Sequence, residues 1–460
     1  MNDSLYVCAK AEHMADLILR NARMINRGMI TEGDLHIQKD RIHRVGPSLP
    51  NPGTADELDL DGKLVMPGII DDQVHFREPG LTHKAQIYSE SRAAVAGGVT
   101  SFMEMPNTKP AALTRELLED KYKIASRDSL ANYSFFMGTS NDNLEEVLRT
   151  DPVNVCGVKI FMGSSTGNML VDDRRTLENL FSRCQMLIAT HCEDEHTINA
   201  NLARYQERYG EDIPFTAHAE IRDHEACYLS SSMAAELARK HGTRLHILHL
   251  TTARELELFD ANIPLSQKKI TSEVCVHHLH FTDQDYPRLG SLIKCNPAIK
   301  SPADNRALWE GLLSNKLDII ATDHAPHTWE EKQGNYMHAP SGLPLVQHTL
   351  VMMLQHVKQG QISLERMVEK MCHAPAECFR LPERGYLDEG CFADVVVVDP
   401  DTSWTVTKEG LLYKCQWSPL EGMTMKGQVH QTYVNGQLVY DQGKILEGRP
   451  GMRLVFNPLH

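Results

Sequence analysis

Several large protein classes are ruled out by what this sequence has little of. Positive charge is scarce: 47 Lys and Arg face 61 Asp and Glu, a formal net charge of -14. A nucleic-acid binder needs a basic patch to displace counterions, so no nucleic-acid partner is expected. No apolar run approaches the roughly 20 residues that span a membrane. Met1–His13 has no basic stretch followed by an apolar one, and so does not read as a secretory signal. None of the 11 cysteines forms a CxxC pair. Their irregular spacing points to reduced thiols in a cytoplasmic protein rather than to a disulfide framework. Low-complexity tracts are missing as well. With 42% hydrophobic and 23% charged residues the composition is ordinary globular, and 460 residues are too many for one small domain. Residues 1–14 lack strand or helix patterning and read as a disordered leader.

Both ends of the chain have a strand-like texture. Leu17–Leu19, Gly33–Ile37 and Arg41–Val45 near the start, and Ala393–Val398, Gln428–Val434 and Gln437–Tyr440 near the end, are short and β-rich. Asn435-Gly436 is a hairpin signal between the last two. These patterns imply one composite β-domain, sandwich-like, from residues 15–64 and 385–460, with a larger domain of residues 65–384 inserted between.

The inserted domain repeats a short buried strand, a polar tip and an amphipathic helix. Strands are expected over Ile69–His75, Val99–Met105, Tyr133–Gly138, Val155–Phe161, Met186–His191, Arg244–His249, Lys269–Val276 and Leu317–Asp323. Eight such units make a (β/α)8 barrel, and continuous apolar runs suit parallel strands covered on both faces. Helices are expected over Thr114–Ser126, Asp223–His241, Pro302–Ser314 and Leu343–Gln359, with room for two between the fifth and sixth strands.

In such a barrel chemistry sits at the C-terminal strand ends. As a strand, Ile69–Arg77 would put Asp71, Gln73, His75 and Arg77 on one face. The other tips carry Asn107, Lys159, His191, His249, Asp323 and His327. Neutral imidazoles with a carboxylate are ligands for zinc or a similar divalent ion, which acidifies a bound water. A lysine buried beside such ions favours its neutral amine, which can take up CO2 as a carbamate and bridge two of them. A salt-bridged lysine at the barrel mouth is the plainer alternative for Lys159.

The segments Gly68–Gly80, Glu104–Thr108, Gly157–Phe161, Thr190–Glu193, His249–Thr252 and Ala321–His327 resemble the amidohydrolase superfamily, and within it the dihydroorotases, in the expected order from Ala15 onward. The resemblance implies reversible cyclisation of N-carbamoyl-L-aspartate to L-dihydroorotate in pyrimidine biosynthesis. Carried over by position, it implies that His75 and Asp323 serve one zinc, that His191 and His249 serve another, and that a Lys159 carbamate bridges them. Asp323 is then the general acid and base. Arg77, Asn107 and His327 would hold the substrate carboxylate, Asn296 would touch substrate, and the loop His338–Gly342 would offer backbone groups to the ring. The resemblance further implies a homodimer and association with aspartate transcarbamoylase.

One position departs from the pattern. Where the family has His-x-His, this chain has Gln73-Val-His75. A glutamine amide is a poor zinc ligand, so one or two ions are expected, with the Lys159/His191/His249 position the better occupied. Competing readings are a hydantoinase- or allantoinase-type enzyme, and a non-catalytic homologue that supports a partner enzyme. Other groups have plainer explanations. On a strand, His277, His278 and His280 would alternate faces, so at most two could share an ion, and no motif recommends a metal there. Cys192 is expected to pack, Glu193–Glu195 to open a helix, and Thr328–Lys332 to form a mobile rim.

Overall fold

The computed structural model describes residues 16–163, 168–448 and 451–458. The expected leader, residues 1–14, lies outside the described residues.

Eight barrel strands follow one another: Ile69–Val74, Val99–Glu104, Asn132–Phe135 continued by Met137–Gly138, Val158–Phe161, Ile188–His191, Leu245–Ile247, Ile270–Cys275 and Ile319–Ala321. Neighbours pair in parallel register. The ring closes where Val74 bridges His324 and the His75 amide donates to the His324 carbonyl at 2.7 Å. The strands are almost wholly buried, polar residues such as Asp71, Asp72 and Glu273 included, because helices cover the outside while side chains fill the lumen. Ile70, Met103, Ala189 and Ile319 come from different strands yet pack in one cluster with Phe136 and with Phe379 of the helix Ala374–Phe379. That helix closes the barrel floor. Polar side chains can therefore gather only at the opposite mouth or be paired inside.

The helices start where their caps dictate. Thr114, Asp223 and Ser301 accept backbone N–H bonds at the heads of Arg115–Asp128, His224–His241 and Pro302–Leu313. Gly242 ends the second at φ 69°, a left-handed turn that glycine takes without strain. Between the fifth and sixth strands run Glu195–Tyr209, His218–Ile221 and His224–His241. The helix expected over Leu343–Gln359 forms only over Thr349–Lys358. Its first residues are used elsewhere, because Leu343 bridges His324 and the Leu345 amide donates to His324 Nδ1 at 2.9 Å.

A nine-stranded sheet from both chain ends flanks the barrel, and Leu64–Pro67 at its middle pairs with Val395–Val398. Leu64–Pro67 runs through Gly68 directly into the first barrel strand, which ties sheet to barrel. Asn435 and Gly436 turn the hairpin at φ 48° and 76°. The tail leaves this sheet: Leu454 donates to the Tyr133 carbonyl of the third barrel strand at 2.9 Å, Phe456 to the Val153 carbonyl at 2.8 Å and Asn457 to the Arg380 carbonyl at 2.9 Å.

Candidate active site

The fifth strand ends on His191, and His249 lies two residues beyond the sixth. Their rings meet with His191 Nδ1 2.9 Å from His249 Nε2. Burial pushes the imidazoles down, His249 well below its usual value, so both are neutral near pH 7. On the far side His191 Nε2 donates to Glu193 Oε2 at 3.0 Å, and Arg222 holds that carboxylate at 2.5 Å. The carboxylate fixes the proton on Nε2 and turns the Nδ1 lone pair toward His249, the arrangement found behind metal-binding histidines. Burial pushes the Glu193 carboxyl up, but Arg222 and His191 more than reverse it, to about 2.

A second pair faces the first. His75 follows the first strand, with Nδ1 2.9 Å from Asn107 Oδ1 and Nε2 3.1 Å from Asp323 Oδ1. Asp323 follows the eighth strand. Burial pushes its carboxyl up, yet the His75 bond and the His277 and Lys159 fields hold it below its ordinary value, so it is ionised. Lys159, on the fourth strand and 1% exposed, interacts electrostatically with all four residues. Burial lowers its ammonium to about 7, which leaves a large neutral fraction. Two pairs of neutral or anionic donors with a half-neutral amine among them suit two divalent ions bridged through Lys159. Arg77, His249 and Asp323 hold φ values of 67°, 41° and 47°, a left-handed cluster at the mouth that non-glycine residues rarely adopt.

The single shared face expected for Asp71, Gln73, His75 and Arg77 does not form. Register shifts between Asp71 and Val74, and the strand stops at Val74. The Asp71 carboxylate accepts from Thr322 Oγ1 at 2.6 Å, and Gln73 Oε1 accepts from Cys275 Sγ at 3.6 Å.

Arg77 lies buried with Nη2 3.1 Å from His327 Nε2 and its Nε donating to the Pro326 carbonyl at 3.1 Å. His327 Nε2 is also 2.9 Å from the Ser341 carbonyl, and its Nδ1 is 3.0 Å from Lys84 Nζ. The ammonium sets the tautomer, with Nδ1 accepting and Nε2 donating to Ser341, so the neighbouring Arg77 nitrogen keeps a hydrogen free for an incoming anion. Burial lowers the Arg77 guanidinium to about 10, and it remains cationic. Half-buried Asn296 has a side-chain oxygen without a partner.

Residues 64–439 match the Amidohydrolase family. The chain belongs to that family. Among amidohydrolases of known name it is 31% identical over 436 residues to a dihydroorotase of Pyrococcus abyssi, covering 94% of this chain and 97% of that protein. It is 32% identical over 451 residues to an allantoinase of Deinococcus radiodurans, covering 96% and 98%. The L-hydantoinase (dihydropyrimidinase) of Arthrobacter aurescens superposes with a TM-score of 0.91 at 28% identity, over 96% of this chain and 100% of that one.

Several residues of this amidohydrolase site escape sequence reasoning. Asp194 caps the helix Glu195–Tyr209 and Glu195 sits in its first turn, but Glu193 turns inward to His191. Its signal was the spacing His191-x-Glu193, which also fits a helix start. Lys84 carries no motif. Thr328–Lys332 is not a loose rim: Thr328 caps the short helix Trp329–Lys332, Glu331 pairs with Lys84 at 2.9 Å, and Lys332 is buried on the Pro340 and Gly342 carbonyls. Of the loop His338–Gly342, the Ser341 carbonyl reaches His327. Cys192 is buried and donates to Thr190 Oγ1 at 3.2 Å. His277, His278 and His280 lie on the helix Val276–His280 instead of a strand, so His277 and His278 are not forced to opposite faces.

Proposed function

We propose that this cyclic amidohydrolase is a dihydroorotase, interconverting L-dihydroorotate and N-carbamoyl-L-aspartate with zinc at His75/Asp323 and His191/His249 and a carbamate on Lys159. The observation that carries the substrate choice is the cationic pair Arg77 and Lys84, with neutral His327 between them, beside Asp323. A buried guanidinium is suited to binding a carboxylate, and dihydroorotate has one on the ring carbon bonded to the ureido nitrogen that stays attached when the amide bond breaks. Hydantoin and allantoin carry no carboxylate, so this clamp would have no partner.

When bound, the ions polarise the ring amide carbonyl and bring a water to near-neutral acidity. The protein supplies the remainder. Arg77 and Asn296 fix the substrate, Glu193 and Asn107 keep His191 and His75 in one tautomer, and ionised Asp323 takes a proton from the attacking water. The C–N bond breaks as Asp323 returns that proton to the departing nitrogen. In reverse, the ureido nitrogen attacks the side-chain carboxyl carbon, gives up its proton, and water leaves.

The test is loss of dihydroorotate absorbance with zinc added, with hydantoin and allantoin in parallel and Lys159→Ala as control. Turnover of dihydroorotate that Lys159→Ala abolishes is expected. Activity confined to hydantoin or allantoin overturns the substrate. No turnover of any of the three would favour the non-catalytic homologue, for which Gln73 is the one argument.

A further inference from the structure

Next to the proposed zinc pair lies a second set of ligands that neither the family pattern nor the reaction above uses. Cys275 ends the seventh strand, and the helix Val276–His280 begins at once. This tight turn brings the Cys275 sulfur and one ring nitrogen each of His277 and His278 within 4.8 Å of one another. All three residues are buried: Cys275 and His277 are 0% exposed and His278 is 3%.

The hydrogen bonding is that of unfilled ligands. His277 makes no hydrogen bond of good geometry at either ring nitrogen, with only a weaker approach to the Thr322 backbone, and His278 has none at Nδ1. His278 Nε2 donates to the Pro297 carbonyl at 3.1 Å, which puts the proton on Nε2 and leaves the Nδ1 lone pair open. Backbone carbonyls fix metal-binding histidines in this way. A buried imidazole without a hydrogen bond costs roughly 1–3 kcal/mol, so His277 beside the open Nδ1 of His278 calls for an occupant. Carboxyl groups surround them: Glu273, Asp323, Asp71 and Asp72 all act on Cys275, and ionised Asp323 also acts on His277. That field opposes a bare thiolate and favours a cation, to which a coordinated thiol surrenders its proton. Gln73, whose Oε1 now accepts the thiol proton, can turn its amide to donate to a thiolate instead.

We propose that Cys275, His277 and His278 bind a divalent ion of the soft or borderline class, such as zinc, as a site separate from the catalytic pair. Thiolate with two imidazoles selects such ions over magnesium or calcium. Tetrahedral zinc places sulfur and nitrogen about 3.5 Å apart, so the side chains need close by about 1 Å. A fourth position is left for water.

Cobalt(II) provides the test, because a thiolate ligand gives it an intense near-ultraviolet charge-transfer band that imidazole and carboxylate ligands do not. Full-length protein is freed of metal, reloaded with cobalt and compared with Cys275→Ser, His277→Gln, Cys192→Ser and Lys159→Ala. The band should appear in the parent, vanish in Cys275→Ser and weaken or shift in His277→Gln. It should persist in Cys192→Ser, and also in Lys159→Ala even though turnover is lost. Metal analysis should find one ion fewer per chain in Cys275→Ser. No band in the parent, or a band that survives Cys275→Ser, overturns the site. Thermal melts confirm that each variant is folded, and His277→Gln reports on the site should Cys275→Ser fail to fold. Because Lys159→Ala separates band from turnover, failure of this site is distinguishable from failure of the dihydroorotase reading.

Discussion

At the scale of single residues, the site is governed by which atom each side chain leaves free. Glu193 shows this. The carboxylate touches no substrate, yet by holding the His191 proton on Nε2 it aims Nδ1 at His249. Replacing it with a neutral amide, Glu193→Gln, should lower metal affinity by about 10- to 100-fold, read as ion retention against a chelator. Retention equal to the parent would show that Glu193 is only structural. Arg77 acts through the shape of its fork. Arg77→Lys keeps the charge but not the bidentate geometry, and should raise KM for dihydroorotate at least tenfold with a smaller effect on kcat. An unchanged KM would remove Arg77 from the clamp. His75, Lys159, His191, His249 and Asp323 were picked out in the sequence because each lies on or just past an expected barrel strand. Glu193, Lys84 and His277 were not: Glu193 fits a helix start as well, Lys84 reaches His327 and Glu331 far along the chain, and His277 lies on a turn that reads as a strand.

Elements succeed or fail here on backbone demands. The Asn435-Gly436 turn was readable because two successive left-handed residues admit few side chains. Its neighbour was not. A Cβ on Gly436 would sit 1.9 Å from the Lys39 carbonyl oxygen, on the other chain end. Gly53, at φ 89°, has nothing within 4 Å of the same position. Gly53→Ala should therefore cost about 1 kcal/mol from conformation alone, and Gly436→Ala clearly more, as shifts of the urea midpoint. Equal shifts would mean that the sheet yields at Lys39 freely. The two misread elements share one cause. Leu343–Leu345 and the segment after Cys275 have helical or strand-like composition, but His324 captures the first and the end of the seventh strand turns the second into a helix.

For the whole molecule, burial of neutral histidines makes stability depend on pH. His348, 1% exposed under the sheet, bonds the Tyr413 hydroxyl at 2.9 Å, and burial lowers its imidazole to about 3. Above pH 6.5 the ring is neutral in both folded and unfolded chains and costs nothing. Below that, the unfolded chain takes up a proton that the folded one refuses, so stability falls with pH until about pH 3. At pH 5 the loss is roughly 2 kcal/mol for this residue. His348→Gln retains a partner for Tyr413 but not the titration. Its melting temperature should gain on the parent between pH 7.5 and pH 5, and parallel curves would refute the assignment.

Alternation, run length and turn residues were enough to mark eight buried strands, a β-domain from both termini and the polar residues at the strand ends. Those features depend on local backbone geometry and on hydrophobic periodicity, which a sequence carries in order. Ring closure between Val74 and His324 and the aim of each imidazole lone pair depend on distances between segments remote in the chain, and the meeting of Cys275 with two neighbouring histidines depends on the helical turn into which the seventh strand passes. Only packing the barrel shut decides those, because closure determines which side chains face one another across the mouth.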